Sequence, residues 1–233
     1  MKKIIPALLL GSTLVTPAMA AEVDITIENI TRGVYFTPLL VAAHPIGTQL
    51  FQLGEAASTE LQAMAEGGDI SGLETQLVSL GATIQANPAE GLLGPGSTTM
   101  TQLNTDAAPA NTQLSMVAMM LPTNDGFVAI NSLTIPTEAG EYSYYVKAYD
   151  AGTEANDEVR GSGAPGESGF PVPPPLEAKI GQNGTAFAAS AEGFVHVHRG
   201  VLGDTDANAG NSDIDSTQHR WLNPVAKVTI TVQ

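Results

Sequence analysis

Short apolar stretches, each closed by glycine, proline or asparagine, recur from one end of this chain to the other and restrict it to a fold of many short strands. Val23, Ile25 and Ile27 alternate with Asp24, Thr26 and Glu28, the period-two pattern of a strand with one buried face. Residues 36–43 (FTPLLVAA) read as a second extended segment. Residues 114–121 (LSMVAMML) form an almost unbroken apolar run, as expected of a strand covered on both faces. Residues 126–133 (GFVAINSL) and 142–149 (YSYYVKAY) read as strands of equal length. Residues 193–200 (GFVHVHRG) read as another, and Val228, Ile230 and Val232 alternate in a last one. About eight such strands, without heptads or an internal repeat, predict an all-β fold, an antiparallel β-sandwich.

One stretch breaks the pattern. Leu50, Leu53, Ala57, Leu61 and Met64 recur at three- and four-residue spacing, which suits a helix lying on the core. Ser71 and Glu74 make a capping-box pattern ahead of Leu73, Leu77 and Leu80. Residues 48–82 are therefore read as a short helical insertion. Residues 87–111 read as loop with a strand inside, and the Gly/Pro-rich residues 161–176 as irregular chain. Too little chain follows that loop for a second core, so residues 21–233 are expected to form one domain.

The first twenty residues carry Lys2 and Lys3, an apolar middle, and Ala18-Met19-Ala20, the layout of a secretory signal cut after Ala20. A membrane span needs about 20 apolar residues, and Pro6, Gly11, Ser12, Thr13, Thr16 and Pro17 interrupt the run too soon. No later segment is long and apolar enough to span a bilayer. The expected location is the periplasm or the secreted medium. The chain has no cysteine, so an exported fold must rely on its core or on bound ions. Its formal net charge of −15 becomes more negative when the two lysines leave with the signal. Such charge repels nucleic acid and anionic lipid and attracts cations. A hydrophobic content of 43% decides against a disordered acidic tail.

The acidic residues near two strand ends carry the chemistry. If residues 126–133 and 142–149 form a hairpin, Asp125 lies nearly opposite Asp150 at one end of the sheet. Gly152 lets the chain fold back, and Glu154 returns to the same place, with Asn156, Asp157 and Glu158 close behind. Gathered carboxylates raise one another's pKa unless a cation sits between them. A hard cation such as calcium, which takes six to eight oxygens, suits that donor set. A solvated acidic rim is the alternative reading of the same residues.

The runs MLPTNDGFVAINSLTIP and YYVKAYDAGTEANDE resemble the spondin N-terminal domain, the module shared by F-spondin and mindin. In that family the corresponding patterns are P-S-P-D-W-F-V-G and D-A-G-T-D. Bacterial members add a G-E-x-A-S helix start, an H-x-H-x-G strand and a late W-x-N-P-V-A. Here these stand as residues 54–58 (GEAAS), 196–200 (HVHRG) and 221–226 (WLNPVA). The resemblance implies a β-sandwich that binds one Ca2+ through Asp125, Asp150 and Glu154, with Glu154 replacing the family's aspartate. Gly126 stands where animal members have tryptophan. It also implies an interaction module acting in adhesion at a surface or matrix, with a protein or glycan partner at the cell surface, rather than an enzyme.

Other signals are weaker. His196 and His198 point to one face of a strand and suggest either a packed histidine pair or a copper/zinc enzyme site. A zinc site completed by His219 or His44 is a variant of the second reading. Asp204, Asp206, Asn208 and Asp215 fall at EF-hand positions, but Ala209 occupies the glycine position, so a flexible acidic loop is expected. There is no G-x-S-x-G, Ser-x-x-Lys or H-E-x-x-H to support nucleophilic or zinc-protease chemistry. A structural envelope component is the remaining alternative.

Overall fold

A computed structural model describes residues 22–187 and 190–233; the secretory segment expected over residues 1–20 lies outside them. The chain runs β1 (Glu22–Asn29), β2 (Tyr35–Phe36), β3 (Leu40–His44), α1 (Thr59–Gly67), α2 (Ser71–Ser79), β4 (Thr83–Ala86), β5 (Thr98–Asn104), β6 (Gln113–Leu121), β7 (Gly126–Thr134), β8 (Gly140–Asp150), β9 (His196–Val197) and β10 (Ala226–Val232). The main ladder is antiparallel in the order β4-β3-β6-β7-β8-β10-β1-β5, with β2 added to β6 and β9 to β8.

The long strand β8 makes the corner. Its residues 147–150 pair with β7, and its residues 140–146 pair with β10. One sheet therefore bends along a single strand, and its end strands β4 and β5 come back into contact. The expectation of antiparallel strands with a helical insertion is met. The arrangement differs from a clear sandwich, because the sheet is nearly closed into a barrel-like shape.

Burial follows from that bend. On β6, Leu114, Met116, Ala118 and Met120 face the interior with Val23, Ile25 and Ile27 of β1 and Val228 and Ile230 of β10. Val117, Met119 and Leu121 face the other way, onto Leu61 and Met64 of α1 and Leu73 and Leu77 of α2. Both faces of β6 are thus covered, which is why its sequence shows no alternation. β1 and β10 are covered on one face only and alternate. Each such side chain taken fully out of water contributes about 1.5–3 kcal/mol.

The helical insertion is shorter than the apolar spacing suggests. α1 is capped by Ser58, whose Oγ accepts the Leu61 N–H at 3.1 Å. Leu50 and Leu53 precede it in irregular chain, and Phe51 packs edge-on against Phe127 at 5.2 Å. The capping box at Ser71 does not form. Ser71 is the first residue of α2, and Asp69 Oδ1 accepts its N–H at 2.9 Å. Among the described residues no helix is long and apolar enough to cross a membrane.

Candidate metal centre

β7 and β8 bring their acidic ends together with a one-residue offset from the expected register. Gly126, not Asp125, pairs with Asp150, and the Asp125 carbonyl accepts the Ala151 N–H at 3.1 Å. Gly152, at φ 67°, then reverses the chain and donates its N–H to Asp150 Oδ1 at 2.8 Å. The reversal aims the N–H groups of Thr153 and Glu154 at Asp125 Oδ2, at 2.8 and 3.0 Å. Glu154 Oε1 accepts from Asn124 Nδ2 at 2.8 Å and from the Gly169 N–H. One oxygen of each carboxylate is thereby held. Asp125 Oδ1 and Glu154 Oε2 remain buried without a hydrogen-bond partner.

Burial dominates the electrostatics here. It pushes the Asp125 carboxyl up to about 8, helped by the charge of Asp150 and opposed by the two backbone N–H groups on Oδ2. Burial likewise raises Glu154 to about 7, against the hydrogen bonds from Asn124 and Gly169, with Asp157 and Glu66 adding repulsion. Near neutral pH these groups favour a proton, or a cation that takes its place.

Asp150 belongs to a second grouping. One ligand atom each from Asp150, Glu192 and His196 lie within 4.8 Å of one another, a group able to hold a metal ion. Asp125 and Glu154 are not part of it. Of the three residues singled out from the sequence, all stand at the same end of the sheet and Asp150 is shared between the two groupings. Glu192 was not singled out. Its signal was a lone carboxylate four residues before His196 in a segment otherwise small and apolar.

The two histidines of the H-V-H segment do face one side, as their spacing predicts. His196 Nε2 stands 3.8 Å and His198 Nε2 3.9 Å from Asp150 Oδ2. Their surroundings differ. The Gly200 N–H donates to His198 Nδ1 at 3.0 Å, so the proton of the neutral ring sits on Nε2. Burial, with His196 and Arg199 nearby, holds the His198 pKa down to about 3. Its ring packs on Trp221 at 4.9 Å, and Asn223 ties the segment to β8 by accepting the Ala148 N–H and donating to the His198 carbonyl. Gly126 is part of the same packing, because a Cβ there would lie 2.9 Å from His198 Cδ2.

The remaining candidates are engaged elsewhere. His44 Nε2 pairs with Ser115 Oγ at 2.8 Å and His219 Nδ1 with the Asp215 carbonyl at 3.2 Å, so neither joins His196. Asp204 Oδ2 accepts the N–H groups of Asn211 and Ser212, and Asp206 Oδ1 those of Asn208 and Ala209. Those oxygens organise their own loop. Glu158 reaches the same loop, accepting from Leu202 N at 2.5 Å, Gly203 N at 2.7 Å and Ser212 Oγ at 2.8 Å.

The family model described as Spondin_N matches residues 28–163, more than half of the chain. The matched span contains Asp125, Asp150 and Glu154 and ends before Glu192, His196 and Trp221. No curated protein matches the chain.

Proposed function

The chain belongs to the Spondin_N family, and from that premise we propose that it is an exported, non-catalytic adhesion module whose sheet end is held together by one calcium ion. The observation that carries the reading is the pair of buried, unpartnered oxygens, Asp125 Oδ1 and Glu154 Oε2, beside a third carboxylate at Asp150. Leaving a buried carboxylate oxygen unpaired is costly. An oxygen-seeking divalent ion offsets that cost and cancels the repulsion among the three groups. Asp125, Asp150 and Glu154 would supply its side-chain oxygens. The family favours a partner that is a protein or glycan at a surface or matrix, and the negative charge of the chain disfavours nucleic acid.

Calcium titration by calorimetry tests the reading. The mature domain should bind one calcium per chain, and Asp125→Asn should weaken binding by about tenfold or more, because ligand charge sets affinity at such sites. Absence of calcium binding to the unmodified protein would end this reading.

Export and a single domain over residues 21–233 belong to the same proposal. Intact mass of protein recovered from the periplasm or medium should correspond to a chain starting at Ala21. Retention of residues 1–20 would contradict it. The competing reading, a copper/zinc enzyme on the H-V-H strand, needs both histidines as ligands. The tautomer of His198 weighs against that, since its Nε2 carries the proton.

A further inference from the structure

We infer that Asp150, Glu192 and His196 form a second metal site, selective for a borderline divalent cation of the zinc class and distinct from the proposed calcium position. The decisive feature is the direction of the His196 lone pair. Its Nδ1 lies 3.2 Å from the Phe194 carbonyl, which can only accept, so in the neutral ring Nδ1 carries the hydrogen and the lone pair is on Nε2. That lone pair faces Asp150 Oδ2 at 3.8 Å, an acceptor facing an acceptor. Two donors at zinc bond lengths can stand up to about 4.3 Å apart, so 3.8 Å fits an ion held between them. A backbone carbonyl holding Nδ1–H is also the arrangement that orients a metal-bound histidine.

Two further atoms support the assignment. Glu192 Oε2 is buried and has no hydrogen-bond partner, while its Oε1 and Asp150 Oδ2 share one donor, Asn156 Nδ2. His198 Nε2 is likewise unpartnered, on a ring almost wholly buried, and it faces the same Asp150 oxygen at 3.9 Å. With its proton on Nε2, His198 does not ligate; its N–H faces the Asp150 carboxylate from beyond direct hydrogen-bond distance. One nitrogen and two carboxylates disfavour calcium, which seeks six to eight oxygens, and suit zinc with its remaining position left to water. Glu192 and His196 are half-buried, so the ion can enter from solvent.

The test is zinc binding to the mature, tag-free protein, read by competition with a chromophoric chelator and by the visible spectrum of the cobalt form. One zinc per chain is expected, not displaced by excess calcium. His196→Gln and Glu192→Gln should each weaken it by more than about 100-fold, beyond what loss of an outer partner costs. His198→Gln keeps a donor toward Asp150 and should weaken it by no more than about tenfold. The thermal shift with calcium in His196→Gln serves as the folding check, and far-ultraviolet circular dichroism replaces it if the unmodified protein shows no such shift. Sub-stoichiometric zinc, or zinc binding unchanged in folded His196→Gln, overturns the site. A loss in His198→Gln as large as in His196→Gln overturns the donor set.

Discussion

Calcium is expected to raise the melting temperature strongly at pH 8 and hardly at all at pH 4.5. Asp125 is raised from 3.8 to about 8 and Glu154 from 4.5 to about 7 in the folded protein without the ion. Between those ordinary and folded values the native state holds protons that the unfolded state has released. Stability of the ion-free protein therefore falls as pH rises through about 4 to 8. Calcium competes with those protons, so its effect is largest where they are absent. At a hundredfold excess over its dissociation constant an ion bound only to the native state adds about 2.7 kcal/mol. For a domain of this size that is a rise of roughly 5–10 °C. Differential scanning fluorimetry in calcium and in chelator, at moderate salt to screen diffuse charge, reads it directly. Asp125→Asn should remove most of the shift and, in chelator at pH 8, melt above the unmodified protein, because a buried charge is gone. Glu138→Gln, on an exposed acid in the connection that precedes β8, should change neither. A calcium shift that grows toward acid pH would refute the assignment.

The strands were legible because their burial is simple. β1 and β10 each cover one face of the core and alternate in sequence, and β6 is covered on both faces and does not. What could not be read was how far the sheet bends. The corner in β8 depends on where its pairing passes from β7 to β10, between Lys147 and Val146, and both halves of the strand look alike in composition. Equal strand lengths predict Asp125 nearly opposite Asp150. The true partner is Gly126, because β7 and β8 are nine and eleven residues long, not eight each. The capping box failed for a similar reason, since Asp69 reached the Ser71 N–H first.

The candidate site divides along the same line. Asp125, Asp150 and Glu154 could be found because a hairpin and one glycine turn place them at one end of the sheet over a short stretch of chain. Glu192 could not. It reaches Asp150 only because Asn156 bridges the two carboxylates and the segment before β9 docks on the Gly152 turn. Nor does H-V-H spacing tell its two histidines apart. The carbonyl of Phe194 on one ring and the N–H of Gly200 on the other give them opposite tautomers, and hence different roles.

Gly152→Ala should be among the most damaging single-methyl additions in this protein, and it should disable both cation positions together. Gly152 sits at φ 67°, where a Cβ costs about 1–2 kcal/mol. The added carbon would also lie 2.3 Å from the Phe194 carbonyl oxygen and 2.7 Å from the Phe194 nitrogen, which are backbone atoms unable to rotate away. The segment they belong to is itself pinned, with the Gly193 N–H on the Gly152 carbonyl at 2.8 Å and the Val195 N–H on the Glu55 carbonyl at 2.8 Å. Relief therefore requires the turn and the 193–196 segment to part. That withdraws the N–H groups of Thr153 and Glu154 from Asp125, and it shifts the Phe194 carbonyl that orients His196. Adding the clash to the conformational strain gives a loss of at least about 3 kcal/mol, or roughly 6–12 °C in melting temperature. The calcium-dependent shift and zinc affinity should both fall with it. Gly193→Ala is the matched control: it has a comparable φ of 82° but nothing within 4 Å of its added Cβ. It should cost about 1–2 kcal/mol and leave both metal responses in place. Thermal melts of the two variants with and without each metal decide the matter. Equal losses in the two would mean that backbone strain alone is at work, and that the contact between the Gly152 turn and Phe194 does not hold the two positions together.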